Sequence, residues 1–173
     1  MLKVKGEKIF LRELCKDDAS DEYLSWLNDS ETTAFLETKP NQYTKEKLKE
    51  YIQEKTEDKD VFFFGIFDLE TNTHIGNLKF EPINEELNYS VFGIMLGNKK
   101  YRGRGIGSEA LKLGIKTLYI ERQISRVFLG AKIENTTAIN LYKRFGFVDC
   151  VEVPFIYDKN TSTVMIYEYK DDQ

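Results

Sequence analysis

Lys99-Lys100-Tyr101-Arg102-Gly103-Arg104-Gly105-Ile106-Gly107-Ser108 is the stretch that decides how this chain is read. Its three glycines at alternate positions let the backbone turn its N–H groups to one side with no Cβ in the way. The apolar spacing that follows predicts a helix through Glu109–Tyr119. The first turn of that helix adds unpaired N–H donors and the positive end of its dipole. Four cations within six residues, with no acid among them, reinforce the field. Chemically, the segment is a seat for a phosphorylated ligand.

Working outward, the elements before the loop are strands. Val61–Phe67 is apolar on both faces and predicts a central strand. Thr71-Asn72-Thr73 turns into a strand at His74–Phe80, and Pro82–Glu86 turns into another at Leu87–Leu96. Turns this short require antiparallel neighbours. Nearer the start, Phe10–Leu14 predicts a short strand. Asp17 or Asp18 then caps a helix carrying Ala19, Tyr23, Trp26 and Leu27, and Thr44 caps a second with Leu48, Tyr51 and Ile52 on one side. Beyond the loop come a strand at Arg126–Ala131, a helix from Thr136 to Phe145, and two late strands near Phe147–Val153 and Thr163–Tyr169. The expected architecture is one α/β domain over residues 1–173, with a mixed central sheet of about seven strands flanked by about four helices.

Composition agrees with one domain. The 173 residues are 41% apolar and 31% charged, enough for a core within a soluble chain. No apolar run approaches the roughly 20 residues of a membrane span, and Met1–Gly6 lacks a leader's apolar stretch, so the expected location is the cytoplasm. Cys15 and Cys150 stand far apart and are expected as buried free thiols; with His74 the only histidine, no transition-metal site is expected. The net charge of −4 argues against nucleic acid and anionic membranes as partners. Without the four loop cations, 21 basic residues face 29 acidic ones, a balance of −8. The basic loop therefore sits in a more acidic body, which suits one compact polyanion held at one place.

Three phosphate loops compete for the glycine segment. A Walker loop needs a Lys after its last glycine, and none follows Gly107. A dinucleotide fingerprint starting at Gly103 needs glycine where Ser108 stands, and an early βαβ unit in place of antiparallel strands. The pattern [QR]-x-x-G-x-[GA], met by Arg102, Gly105 and Gly107, wraps the pyrophosphate of coenzyme A. On the loop alone, a basic surface turn remains the plain alternative.

A second motif, Asn135-Thr136-Thr137-Ala138-Ile139-Asn140-Leu141-Tyr142-Lys143-Arg144-Phe145-Gly146-Phe147, reads as a helix with Asn135 as N-cap. Ala138, Leu141, Tyr142 and Phe145 share a face, Lys143 and Arg144 suit the C-terminal dipole, and Gly146 ends the helix. The two motifs together, over about Leu87–Val148, resemble the GNAT superfamily of N-acetyltransferases, in which N-x-x-A-x-x-L-Y-x-x-x-G-F follows the coenzyme loop at this distance. Tyr23–Asp29 and His74–Lys79 are similar to its RimJ/RimL-like branch, and within it to members that acetylate nucleotide-linked amino sugars.

The resemblance implies acetyl-CoA as co-substrate, no metal, and direct acetyl transfer to the primary amine of a small acceptor. It implies that strand Leu87–Leu96 splays from Arg126–Ala131 to admit the pantetheine arm. Backbone groups near Ile94, Met95 and Leu96 would bind that arm, one N–H polarising the thioester carbonyl. N–H groups of Arg102, Gly103, Arg104, Gly105, Ile106, Gly107 and Ser108 would hold the pyrophosphate, and Asn135 would contact the pantetheine or order water beside it. Tyr142 becomes the candidate general acid, although its place on the apolar face equally suits a core aromatic. Many members place a Glu two residues before the strand glycine; here Val91 precedes Gly93 by two, so that base is missing. Glu81, Glu85 and Glu86 read as solvated hairpin residues, His74 as an exposed turn residue, and Trp26 as a core aromatic. Two other readings stay open: acetylation of a protein N-terminus, which predicts an acidic groove, and a non-catalytic acetyl-CoA sensor. A monomer or a homodimer joined at a sheet edge is expected.

Overall fold

Phe62–Asp68 explains the layering, because its side chains feed both faces of a sheet. The computed structural model describes residues 1–36 and 43–171. Phe64 and Ile66 join the main core beneath the long helix, while Phe63 joins a second core beneath the N-terminal helices. A strand apolar on both faces is what a central position demands. The strands are β1 (Lys3–Lys5), β2 (Ile9–Glu13), β3 (Phe62–Asp68), β4 (His74–Asn84), β5 (Tyr89–Met95), β6 (Arg126–Lys132), β7 (Val148–Asp149) and β8 (Ser162–Glu168). They form one sheet in the order β1-β2-β3-β4-β5-β6-β8-β7. Every neighbouring pair is antiparallel except β5 with β6.

The helices are α1 (Asp21–Asn28), α2 (Ser30–Thr33), α3 (Lys45–Glu57), α4 (Ile106–Arg122) and α5 (Thr136–Phe145). Thr44, Asn135 and Gly146 cap their helices as expected. The cap of α1 differs. Ser20 accepts from Tyr23 N, while Asp17 and Asp18 lie in a preceding 3-10 turn. Asp18 is instead drawn to Arg12, whose two terminal nitrogens meet its carboxylate at 2.9 and 2.7 Å.

Other differences from the sequence reading have local causes. Strand β1 has only Val4 turned partly inward, too little for a periodic signal. Strand β4 continues through Pro82 to Asn84, so the turn into β5 falls later than Pro82–Glu86. Pairing is irregular between Phe80 and Ile83, a bulge that accommodates a residue with no N–H. The stretch expected as Phe147–Val153 keeps only Val148–Asp149 as strand. Among the described residues the sheet thus has eight strands rather than about seven, with five α-helices rather than about four, on the expected plan. Cys15 and Cys150 are free thiols, each half-buried rather than buried. Among the described residues, no helix is long and apolar enough to cross a membrane.

Two long-range contacts fix the helices to the sheet. Glu109, in the first turn of α4, accepts from the backbone N–H of Glu7 at 2.7 Å and of Lys8 at 2.9 Å, pinning α4 to the β1–β2 turn. At Gly97 a Cβ would lie 1.9 Å from the Trp26 ring, so glycine alone lets α1 close over the end of β5.

The Asp18–Arg12 pair gives the fold a pH signature. Burial alone would raise the Asp18 pKa, but the Arg12 guanidinium and the Cys15 N–H outweigh it and hold the carboxyl below its ordinary range. Stability from such a group is present above the unfolded pKa of about 3.9 and is lost as pH falls through the folded value. Asp18→Asn is therefore expected to cost roughly 1–3 kcal/mol in urea unfolding at pH 7, with the gap to wild type narrowing as the pH drops below about 4.

Candidate active site

The site begins where β5 and β6 stop pairing. Their parallel register runs through Tyr89↔Arg126, Ser90↔Val127 and Val91↔Phe128, and there it ends. Strand β5 stays paired to β4 as far as Met95, and β6 to β8 as far as Lys132, so the two separate while each remains anchored behind. Two residues past the last pair stands a glycine on each lip, Gly93 and Gly130. A Cβ built on either meets no atom within 4 Å. Backbone groups facing the gap have lost their sheet partners and are free for a ligand. Ile94 and Met95 line the opening. The carbonyl of Leu96 is already engaged by Arg102, whose Nε and Nη2 donate to it at 3.2 and 3.1 Å.

The glycine segment lies at the N-terminus of α4. Gly103 and Gly105 have φ of 73° and 80°, the left-handed region, and Gly105 is the N-cap of α4. Ile106 buries its side chain in the main core, Gly107 packs against Leu141 of α5, and Ser108 is exposed. A Cβ at Gly107 would already reach Leu141 at 3.4 Å, so the two motifs meet directly.

The loop's cations are not all directed at one ligand. Lys99 pairs with Asp29 at 3.0 Å and Glu31 at 2.8 Å, and Arg102 pairs with Glu31 at 3.1 Å and Thr32 at 3.0 Å. Half of the expected basic concentration is therefore neutralised by residues at the start of α2. Lys100 and the Arg104 guanidinium, 5.6 Å over the Tyr101 ring, remain exposed at the loop. Lys8 joins them, its Nζ donating to the Arg104 carbonyl at 3.0 Å. Nothing local in the sequence signals that contact across 96 positions.

Asn135 caps α5 by accepting from Ala138 N at 3.2 Å. Tyr142 is buried, with its ring centroid 6.4 Å from that of Phe92 on β5 and 5.8 Å from that of Phe147. Burial pushes its hydroxyl pKa up to about 12, so the group carries its proton at neutral pH.

On the α1–α3 face of the sheet, the parting opens into a chamber of about 730 Å³. Its walls are the separated end of β5, Gly130–Lys132 of β6, Asn77–Glu81 of β4, and the rings of Tyr23, Tyr43, Tyr51, Phe155 and Tyr157. Glu81 belongs to this wall rather than to a solvated hairpin. It meets Lys55 at 2.6 Å and Lys79 at 2.5 Å, and Lys79 also donates to the Tyr51 hydroxyl at 3.0 Å. Burial would raise the Glu81 pKa, but the two lysines overcome this and keep it anionic. Glu85, outside the chamber, is paired with Arg122.

His74 is likewise no exposed turn residue. Its ring stacks on Phe67 at 4.8 Å and meets Trp26 and Tyr23 edge-on at 5.1 and 5.5 Å. Burial holds its pKa below the ordinary value, partly countered by its bond to Asn77. Trp26 is buried in the second core, as expected.

Comparison with known proteins converges on one family. The model of the acetyltransferase (GNAT) domain matches residues 8–148. A probable N-acetyltransferase, YjcK of Bacillus subtilis, is 29% identical over 154 residues, which cover 83% of this chain and 82% of that protein. Spermidine N-acetyltransferase from Vibrio cholerae, solved with CoA and spermine, shares the fold with a TM-score of 0.80 at 20% identity over 94% of this chain and 96% of its own. Ribosomal-protein-S5-alanine acetyltransferase from Vibrio fischeri does so with a TM-score of 0.76 at 16% identity over the full length of both chains. Both likenesses are of fold. With the GNAT domain model matched from residue 8 to 148, the chain belongs to the GNAT family and is an acetyl-CoA-dependent N-acetyltransferase.

Proposed function

We propose that the acceptor is a small primary amine, with a nucleotide-linked amino sugar as the first candidate. The observation that carries this reading is the chamber at the end of the β5–β6 parting, open on one side, lined by eight aromatic rings and of mixed charge. Rings offer faces on which a base or a sugar stacks. Lys79 and Lys132 balance Glu81 and Asp158 along the lining, and Glu81 is already held by two lysines. That balance is unlike the acidic groove that a basic protein tail calls for.

When bound, acetyl-CoA supplies an activated acetyl thioester. In this reading the gap lined by Ile94 and Met95, widened by Gly93 and Gly130, takes the pantetheine arm, with the N–H of Leu96 at its end. A free N–H there polarises the thioester carbonyl, a kind of donor worth roughly 3–4 kcal/mol in other enzymes. The N–H groups from Arg102 to Ser108 receive the pyrophosphate at the head of α4, with Lys100, Arg104 and Lys8 supplying charge. Asn135 supports the arm from the start of α5. Tyr142 keeps a proton to deliver to the departing thiolate.

Strand β5 carries Val91 where many relatives have a carboxylate. The bulge near Pro82 sets Glu81 on the adjoining strand close to that register. Kept anionic by its lysines, Glu81 is a poor base but a steady hydrogen-bond acceptor for an incoming amine. The amine's proton then leaves through water, which is easiest for an amine less basic than a lysine side chain.

Gly105→Trp places a side chain in the left-handed region at the head of α4, a strain of about 1–2 kcal/mol, and blocks the pyrophosphate seat. Calorimetry with acetyl-CoA is expected to show no binding while circular dichroism stays native; unchanged affinity would remove the loop assignment. Tyr142→Phe is expected to lower kcat by about 10²-fold or more in a coenzyme A release assay, with acetyl-CoA affinity unchanged. Near-normal turnover would take the proton-donor role from Tyr142.

A further inference from the structure

Asn77, Lys79 and Glu81 are alternate residues of β4 and line the chamber together. Side chains two apart on a strand share a face at about 6.6–6.8 Å spacing. Lys79 and Glu81 satisfy each other, with help from Tyr51 and Lys55. Asn77 is different. It is 5% exposed, and its Nδ2 has no hydrogen-bond partner among the described residues. An unpaired buried donor is costly and needs a reason.

The direction of that donor follows from His74. His74 Nε2 lies 3.0 Å from the Gly76 carbonyl and 2.9 Å from Asn77 Oδ1. A backbone carbonyl only accepts, so Nε2 must carry the hydrogen, whether the ring is neutral or charged. The Asn77 atom facing Nε2–H must then be oxygen, which settles an amide orientation that is otherwise ambiguous. Nδ2 is thereby turned away from His74, while Asn77 itself lies among the residues of the chamber wall, opposite Met95 in the β4–β5 register. The ring that fixes it is itself clamped between Phe67, Trp26 and Tyr23.

We infer that Asn77 is an acceptor-binding residue whose Nδ2–H donates to an oxygen of the acceptor, and that His74 is the positioning residue that aims it. The inference rests on the chamber being the acceptor site. It narrows the substrate class to amines that carry a hydroxyl or carbonyl oxygen near the nitrogen, as amino sugars do. A plain polyamine such as spermidine offers no oxygen, and binding it would leave the donor unpaired.

The test compares wild type, Asn77→Ala, His74→Phe and His74→Gln, using UDP-glucosamine and spermidine as acceptors and following coenzyme A release. Wild type is expected to prefer UDP-glucosamine. Asn77→Ala is expected to lose at least tenfold in kcat/KM for it, mainly through the acceptor's KM, with the KM for acetyl-CoA unchanged and a melting temperature that does not fall. His74→Phe keeps the ring stack but loses the donor, and is expected to reproduce that loss. Adding Asn77→Ala to it should lower activity no further. His74→Gln, which retains an N–H, is expected to recover part of the activity.

A preference for spermidine, a loss confined to acetyl-CoA, or a lower melting temperature with the acceptor's KM unchanged would each overturn the inference. Should neither acceptor be turned over, the amino-sugar reading fails, and two measurements that need no acceptor still judge Asn77. One is the melting temperature of Asn77→Ala. The other is the ¹H–¹⁵N spectrum of the imidazole, which contains one spin system because His74 is the only histidine. Hydrogen on Nε2 at pH 7 upholds the orientation, and hydrogen on Nδ1 alone overturns it.

Discussion

Everything in this molecule depends on two parallel strands that pair for three residues and then part. Parallel pairing inside a sheet is normally continuous, because unpaired backbone groups are costly to bury. Here each strand keeps a partner on its far side, so the sheet survives while a cleft opens through it. Gly93 and Gly130 remove the two side chains that would otherwise fill the mouth. The glycine loop and α4 follow directly from β5, and the parted end of the same strand lines the aromatic chamber.

The glycine loop and the N-terminal helices are mechanically joined. Arg102 ties the loop to the carbonyl of Leu96 and to Glu31 and Thr32 of α2, and Lys99 reaches Asp29 and Glu31. Exposed ion pairs of this kind add little to overall stability. Their effect is geometric, in that the basic loop is held at a fixed distance from the helices over the chamber. Of the four loop cations, two serve this attachment, which the net charge of the segment could not reveal.

What the sequence made legible was what lies close together along the chain. The glycine loop, the Asn135–Phe147 helix, the two-faced β3 and the Thr44 cap all depend on neighbours within a few positions, and each stands where it was expected. The exceptions depend on distant partners. Asp18 has a good capping side chain, but Arg12 competes for it and Ser20 caps α1 instead. Glu81 reads as a turn residue because Pro82 follows it, whereas the bulge lets the strand run on and Lys55 on α3 reaches across to it. Lys8 reaches the loop from the β1–β2 turn. Asn77 falls inside the His74–Lys79 segment of the resemblance, but nothing in that segment points to a role for its amide. Its significance arises only from the way the His74 ring is packed.

That packing has an optical consequence. The chain has a single tryptophan, and its ring lies 5.1 Å from the only imidazole, which in turn holds the amide on the chamber wall. Intrinsic emission excited at the red edge of the absorption band therefore comes from one place, close behind the chamber wall. The protein is built with its own reporter, so that filling of the chamber can be followed in the native enzyme without attaching a dye.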